Sequence, residues 1–383
     1  MPNEDPTAPV ADKEHQRPAE ERELSEGMAL CLSGGGYRAM LLHLGGIIRL
    51  NELGKLPDLD RVSSVSGGSI TAAVLGLGWS DLQFGQNRVA ANLDRVVIEK
   101  VREMARQSID KKSIVLGVLR PGRTVGQLVS KAYDDVLFHG STLQDLPADG
   151  AGPRFVINAT NVQTGKLFRF SRPYQGDHSV GLWSRPATLL ADAVTASSAF
   201  PPVLSPHTFA PSGTYASAQD VINDDPAFRS TLWMSDGGVY DNLGLETAWK
   251  RYRTILVSDG GGVLRAERNP KRNWGEHAIR VSEIVDSQVR ALRKRQLIDG
   301  YISKVRSGAY WSVRSDVTSY GLSDPVSFPA ASCQRAQGVK TGLSKLDEAT
   351  QRDLINWGYV IADTALRKWK YPAETAPAAL PIG

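Results

Sequence analysis

Apolar positions along the chain group into short runs and helical stripes, and their alternation sets the expected architecture. Met28-Ala-Leu-Cys-Leu-Ser33 is an apolar run stopped by Gly34-Gly35-Gly36, the pattern of a buried strand. Beyond it Tyr37, Met40, Leu41, Leu44, Ile47 and Ile48 recur at helical spacing, which predicts an amphipathic helix over Tyr37–Asn51. Arg61–Val65 predicts a second strand, and Gly67–Trp79, apolar nearly all round, a helix buried against a sheet. Two rounds of strand, turn and helix indicate α/β alternation.

Residues 80–150 turn polar and helical and predict a helical insertion over part of the sheet, placed to act as a lid. Strand signals return at Arg154–Asn158 and Lys166–Ser171, with the Thr164-Gly165 turn between them, as in a hairpin. A helix over Ala187–Ser198 is stopped by Phe200-Pro201-Pro202. Leu232–Ser235 and Thr254–Ser258 are short buried strands, each running into Asp-Gly-Gly. Ala278–Asp299 predicts a long helix with Val281, Ile284, Val285, Val289 and Leu292 on one face and Gly300 as its C-cap.

Composition narrows the classes. A chain of 383 residues with 41% apolar and 22% charged residues can bury a large core. A net charge of +4 is too small an excess over this length to argue for nucleic acid, but it leaves room for an anionic lipid surface. Cys31 and Cys333 form no CxxC pair, so neither a disulfide framework nor a zinc site is expected, and a reducing cytoplasm suits the chain. No signal peptide or membrane span is evident. Residues 1–26 and 372–383 have the composition of disordered tails, leaving one folded domain over 27–371.

Three segments carry candidate chemistry. Ser33-Gly34-Gly35-Gly36-Tyr37-Arg38 places glycine amides at a strand end and helix start, which suits an oxyanion or a phosphate. Gly34, Gly36 and Ala39 also satisfy the dinucleotide pattern G-x-G-x-x-G/A, with Asp58 or Asp60 at a fitting distance, so both readings stand on this segment alone. Ser64-Val65-Ser66-Gly67-Gly68 matches the nucleophile elbow G-x-S-x-G except for Ser64 in place of the first glycine. That position needs a small side chain, which serine provides. The third segment, Ser235-Asp236-Gly237-Gly238, puts a carboxylate at a strand end, either as the base for a serine hydroxyl or as the cap of a turn. An aspartate needs a desolvated setting to become a useful base near neutral pH.

In this order the three segments resemble the patatin-like phospholipases, over most of the folded chain. SGGGYR is similar to the family's GGGxR loop, SVSGG to its GxSxG and SDGG to its DGG, and His43-Leu44-Gly45, Arg154–Lys166 and Ala196–Pro202 fit as well. The resemblance implies a three-layer α/β/α fold with a mainly parallel sheet and a helical insertion. It implies a phospholipase A-type acyl hydrolase acting on membrane lipid from the aqueous side, with Ser66 as nucleophile, Asp236 as its base, and neither metal nor cofactor. Gly34, Gly35, Gly36 and Gly67 would form the oxyanion hole, supported by Arg38, Gly68, Gly237 and Gly238, while Asp241-Asn242 would stabilise the turn. Asp259-Gly260-Gly261 offers a second candidate base, less similar to the family's segment.

Other readings place the activity differently. A histidine triad esterase would require His277, since His207 precedes both acids in a Pro-rich loop, and both histidines read as solvated or locally hydrogen-bonded residues. A non-catalytic lipid-binding protein of the same fold is the other alternative. Arg290, Arg293, Lys294 and Arg295 form a basic cluster near the end of the long helix, and Lys111, Lys112, Arg120 and Arg123 another. Either could face an anionic membrane, or the first could simply complement the helix dipole.

Overall fold

In the computed structural model, residues 24–109, 124–216, 225–262 and 264–383 are described. The strands are β1 (Ser25–Leu32), β2 (Leu59–Val65), β3 (Arg154–Asn161), β4 (Lys166–Phe170), β5 (Tyr174–Asp177), β6 (Gly181–Ser184), β7 (His207–Phe209), β8 (Thr214–Ala216), β9 (Leu232–Asp236), β10 (Tyr252–Asp259) and β11 (Ser307–Ser312). Five helices matter for the site: α1 (Gly36–Glu52), α2 (Gly67–Leu77), α3 (Leu190–Ser198), α4 (Trp274–Ile302) and α5 (Glu348–Trp369). The basic cluster at residues 111–123 lies outside the described residues, as do residues 1–23 of the expected N-terminal tail.

The sheet runs β11-β10-β1-β2-β3-β4-β5-β6-β8, and its first five strands are mutually parallel. From β3 onward the pairing turns antiparallel, beginning with the β3–β4 hairpin that the sequence predicts. Alternation along β1 feeds two cores. Leu30 and Leu32 enter the large core with α1, α2 and α5, whereas Ala29 and Cys31 pack with Leu243, Leu245, Ala248, Trp249 and Leu297 on the opposite face. Because successive strand side chains point to opposite faces, a strand buried on both sides builds three layers, α/β/α.

The α5 helix carries no expectation from the sequence reading and proves to be the principal partner of α1. The two backbones touch where they cross: a Cβ on Gly45 would lie 2.1 Å from the Ile355 carbonyl, and one on Gly358 2.0 Å from that of Leu42. This contact holds α1, and with it the glycine loop at its start, against the body.

Three expectations are corrected. Gly300 is buried within α4, against Trp249 and Arg306, and the helix continues to a cap at Ser303. Val281, Ile284, Val285 and Leu292, an apolar face in the sequence, are exposed, because the opposite face of α4 carries the charges that bind it to the body. The C-terminal residues are tied down rather than loose. Asn356 exchanges two hydrogen bonds with Ile382, at 2.7 and 3.1 Å, and the Thr375 carbonyl accepts from Arg49. Leu380 and Ile382 pack on the core, contacts that a low-complexity composition conceals.

Candidate active site

Strand register brings the second and third segments together. On one edge β3 pairs with β4 along residues 157–161, so its other edge must take both β2 and β9. β2 occupies that edge up to Val65, opposite Asn158, and the antiparallel β9 takes it over at Asp236, opposite Ala159. The two strands therefore end head to head, and the next residue after β2 is Ser66.

Ser66 has φ 52° and ψ −121°, a conformation that side-chain-bearing residues rarely adopt and that costs about 1–3 kcal/mol. The sharp turn puts Ser66 at the start of α2, and 8% of its surface remains accessible, against 2% for Asp236. The Ser66 side chain lies beside the Asp236 carboxylate, close enough for its hydroxyl to favour the ionised form. Burial pushes that carboxyl up to about 7, opposed by the Gly238 amide and the Ser66 hydroxyl and assisted by the nearby negative charge of Asp286. A carboxylate with this affinity for protons can share a serine proton at neutral pH, which an ordinary solvated aspartate cannot.

The glycine segments meet beside this pair. Gly67 lies so close to the loop that a Cβ there would sit 2.1 Å from the Gly36 carbonyl, while Gly36, at φ +59°, leaves no room for a Cβ against the Gly342 backbone. The amides of Gly35, Gly36 and Gly67 have no acceptor among the described residues. Gly34 does not join them: its amide donates to the Asn242 carbonyl at 3.0 Å, and its expected place in an oxyanion hole is corrected accordingly. Gly34 instead gives clearance, since a Cβ there would meet Asn242 Oδ1 at 2.3 Å and the Ser66 Cβ at 3.3 Å. Gly68 and Gly237 serve as close backbone crossings, over Leu32–Ser33 and over Asn158, and the Gly238 amide donates to Asp236 Oδ1 at 2.7 Å.

Polar bracing surrounds the loop. Arg38 donates to the Gly260 carbonyl at 2.8 Å, to that of Val339 at 2.7 Å and to Thr341 at 2.9 Å, joining the loop to β10 and to a C-terminal segment. His43 lies 2.9 Å from the Ser33 carbonyl through Nε2 and 2.7 Å from the Ser258 hydroxyl through Nδ1. A carbonyl only accepts, so Nε2 carries the proton and Nδ1 accepts from Ser258. Burial pushes His43 down to about 4, so it stays neutral. Asp241 accepts from the amides of Leu243 and Glu246, which holds the turn after β9.

Asp259, the second candidate base, is committed elsewhere. Its oxygens face Arg290 at 3.3 Å, Lys294 at 3.4 Å, the Tyr310 hydroxyl at 2.7 Å and the Gly261 amide at 2.8 Å. Burial, the largest influence, raises its pKa, but the two cations together with the Tyr310 hydroxyl and the Gly261 amide hold it below the usual carboxylate range. Arg293 pairs with Glu246 at 2.9 Å, so three of the four cations of the α4 cluster are held by carboxylates of the body.

Neither His207 nor His277 hydrogen-bonds to Ser66 or Asp236 among the described residues. His277 is exposed near the start of α4. His207, expected to be solvated or locally hydrogen-bonded, is buried in β7, stacked on Phe209 with Nε2 3.4 Å from Asp192.

The sequence reading missed Ser197. Its hydroxyl accepts from the Ser66 amide at 2.9 Å and donates to the Asn158 carbonyl at 2.6 Å, while its own carbonyl accepts from the Gly237 amide at 3.2 Å. One residue thus braces the turns on both sides of the site. A chain of hydroxyls continues from it through Ser69, 2.9 Å away, to Ser64 at 3.0 Å, and this contact accommodates serine where the elbow pattern has glycine. A signal existed in the Ala196–Pro202 segment, though nothing local says what its serines touch.

Comparison with known proteins adds two findings. A sequence profile described as Patatin-like phospholipase matches residues 30–249. Among solved structures, human GIVD cytosolic phospholipase A2 is similar, with TM-score 0.52 and 15% identity, over 91% of this chain and 60% of that one. The same human enzyme in complex with methyl gamma-linolenyl fluorophosphonate gives TM-score 0.50 and 15% identity, over 91% and 59%. Identities this low speak for the fold alone, and the chain spans about three fifths of the human protein it matches. No curated protein matches the chain.

Proposed function

This chain belongs to the patatin-like phospholipase family, and from that premise we propose that it is a lipid acyl hydrolase in which Ser66 attacks an ester carbonyl while Asp236 removes its proton. The observation that carries the proposal is the head-to-head ending of β2 and β9, which sets Ser66 beside a buried carboxyl pushed up to about 7. In the reaction the Oγ–carbon bond forms as the proton passes to Asp236, and charge developing on the carbonyl oxygen is met by the amides of Gly35, Gly36 and Gly67. The alkoxide leaves with the proton from Asp236, and water, deprotonated by the same carboxylate, then cleaves the acyl-enzyme. These steps need no redox partner.

The substrate class we propose is a carboxylic ester of a membrane lipid, in the manner of an A-type phospholipase. No helix among the described residues is long and apolar enough to cross a membrane, so we propose that the protein meets its substrate at the bilayer surface.

A fluorophosphonate, the warhead bound by the human enzyme of similar fold, tests the reading. Wild type should be labelled at Ser66 and should release fatty acid from phospholipid, while Ser66→Ala should do neither. Unchanged labelling of Ser66→Ala would remove the nucleophile from the proposal.

A further inference from the structure

We propose that the outer face of α4 is the surface through which this protein settles on an anionic bilayer, with the proposed catalytic mouth alongside. The inference rests on the acyl-hydrolase reading for its biological sense but stands on a separate physical feature. α4 is amphipathic the wrong way round for a helix packed on a soluble body. Trp274, Ala278, Val281, Val285 and Leu292 share one stripe, spaced at 4, 3, 4 and 7 residues, and all are exposed, Trp274 to 88% and Val285 to 57%. The inward face carries Asp286, Arg290, Arg293 and Lys294, and the latter three are held by Asp259 and Glu246. Arg290, Arg293 and Lys294 are thus spent on the body, and the apolar stripe is left in water.

Two observations identify what covers it. The segment leading into Trp274 exposes Arg265, Arg268, Lys271 and Arg272, none held by a carboxylate among the described residues, with Glu267 as the only acid between Leu264 and Asn273. Cations beside a tryptophan at the end of an apolar stripe suit the boundary between anionic headgroups and acyl chains. The helix that bears the stripe also borders the site. α4 packs against the short helix Gly238–Asp241 that follows Asp236, and Val239 within that helix is itself 53% exposed. Asp286, on the inner face of α4, is close enough to Asp236 to disfavour its ionisation. A bilayer lying along α4 would therefore lie beside the element that borders Asp236. A second copy of the chain would cover the apolar stripe but would have no use for the cations.

The test uses the full chain as wild type, Val281→Asp/Val285→Asp, and Arg268→Glu/Lys271→Glu/Arg272→Glu. Each is measured for sedimentation with phosphatidylglycerol–phosphatidylcholine vesicles and with phosphatidylcholine vesicles, for hydrolysis of a monomeric short-chain ester, and for elution in size exclusion. Wild type should sediment with the anionic vesicles, and both variants should lose binding by about tenfold or more. Hydrolysis of the monomeric ester should stay within about twofold, since no substituted residue touches the site. The milder Trp274→Ala should weaken vesicle binding in the same direction. Vesicle binding unchanged in the valine variant would overturn the proposal, as would equal binding to both vesicle types or a dimer that only the valine variant splits. A wild type that binds vesicles but leaves the monomeric ester intact would instead count against the acyl-hydrolase reading while leaving the docking face standing.

Discussion

Ser66 and Asp236 meet because β2 and β9 end head to head on one edge of β3, with Val65 opposite Asn158 and Asp236 opposite its immediate successor, Ala159. A one-residue slip in either pairing would turn the strand's side chains to the other face of the sheet, so register sets the contact. Several consequences can be measured.

Ser66 is held at positive φ by its neighbours. Ser66→Gly should lose all fluorophosphonate labelling and ester hydrolysis yet unfold at a higher temperature, by an amount equivalent to about 1 kcal/mol, because glycine adopts this conformation readily. Thermal unfolding of the two proteins side by side checks it; an equal or lower midpoint would deny the strain.

The proposed base must be ionised to act. With its carboxyl pushed up to about 7, log kcat/KM should rise with unit slope below pH 7 and flatten above it. The linkage to stability has the opposite sense. Between the ordinary aspartate value near 3.8 and about 7 the folded protein holds a proton that the unfolded chain has released, so Asp236 erodes stability as pH rises through this window. Asp236→Asn should be inactive, and its stability relative to wild type should grow by about 1 kcal/mol per pH unit across the window. Urea unfolding at pH 4, 6 and 8 reads the trend, and a constant difference would show that the carboxyl is not perturbed.

Ser197 holds the Ser66 amide and, through its carbonyl, the Gly237 amide. Ser197→Ala should lower kcat by about tenfold with KM little changed, and slow fluorophosphonate labelling in proportion. A purely structural role would shift the unfolding temperature and leave the labelling rate of the folded protein as it was.

Gly67 has no space for a side chain against Gly36. Gly67→Ala should displace an oxyanion donor and cost about 100- to 1,000-fold in kcat, while substrate binding measured on the inactive Ser66→Ala background should persist.

His207, buried in β7, lies 3.4 Å from the partly exposed Asp192 rather than pairing with Asp236. His207→Ala should destabilise the protein by about 1–3 kcal/mol and His277→Ala should not, and neither should alter the pH–rate profile. A profile that changes with either histidine would indicate a triad.

Much of this was legible locally. Strand, glycine turn and helix follow from spacing, and Ser66, Asp236 and the glycines announce themselves by sitting at strand ends. The partner of the Gly34 amide was not legible, nor was the saturation of Asp259 by Arg290 and Lys294, because hydrogen bonds and ion pairs join residues with no sequence relation. α4 shows the same division. Its apolar stripe is written in the periodicity, yet which side faces the body depends on Asp259 and Glu246, which lie on other elements.

The sequence by itself determined which segments become strands and helices and which side chains could carry chemistry, since backbone preference and periodic burial act over a few residues. Only the tertiary structure decided that β9 abuts β2 on β3, that the carboxyl of Asp236 is stripped of water, and that α4 turns its charges inward. Register, desolvation and the pairing of charges are properties of contacts between distant segments, and they exist only once the chain has closed on itself.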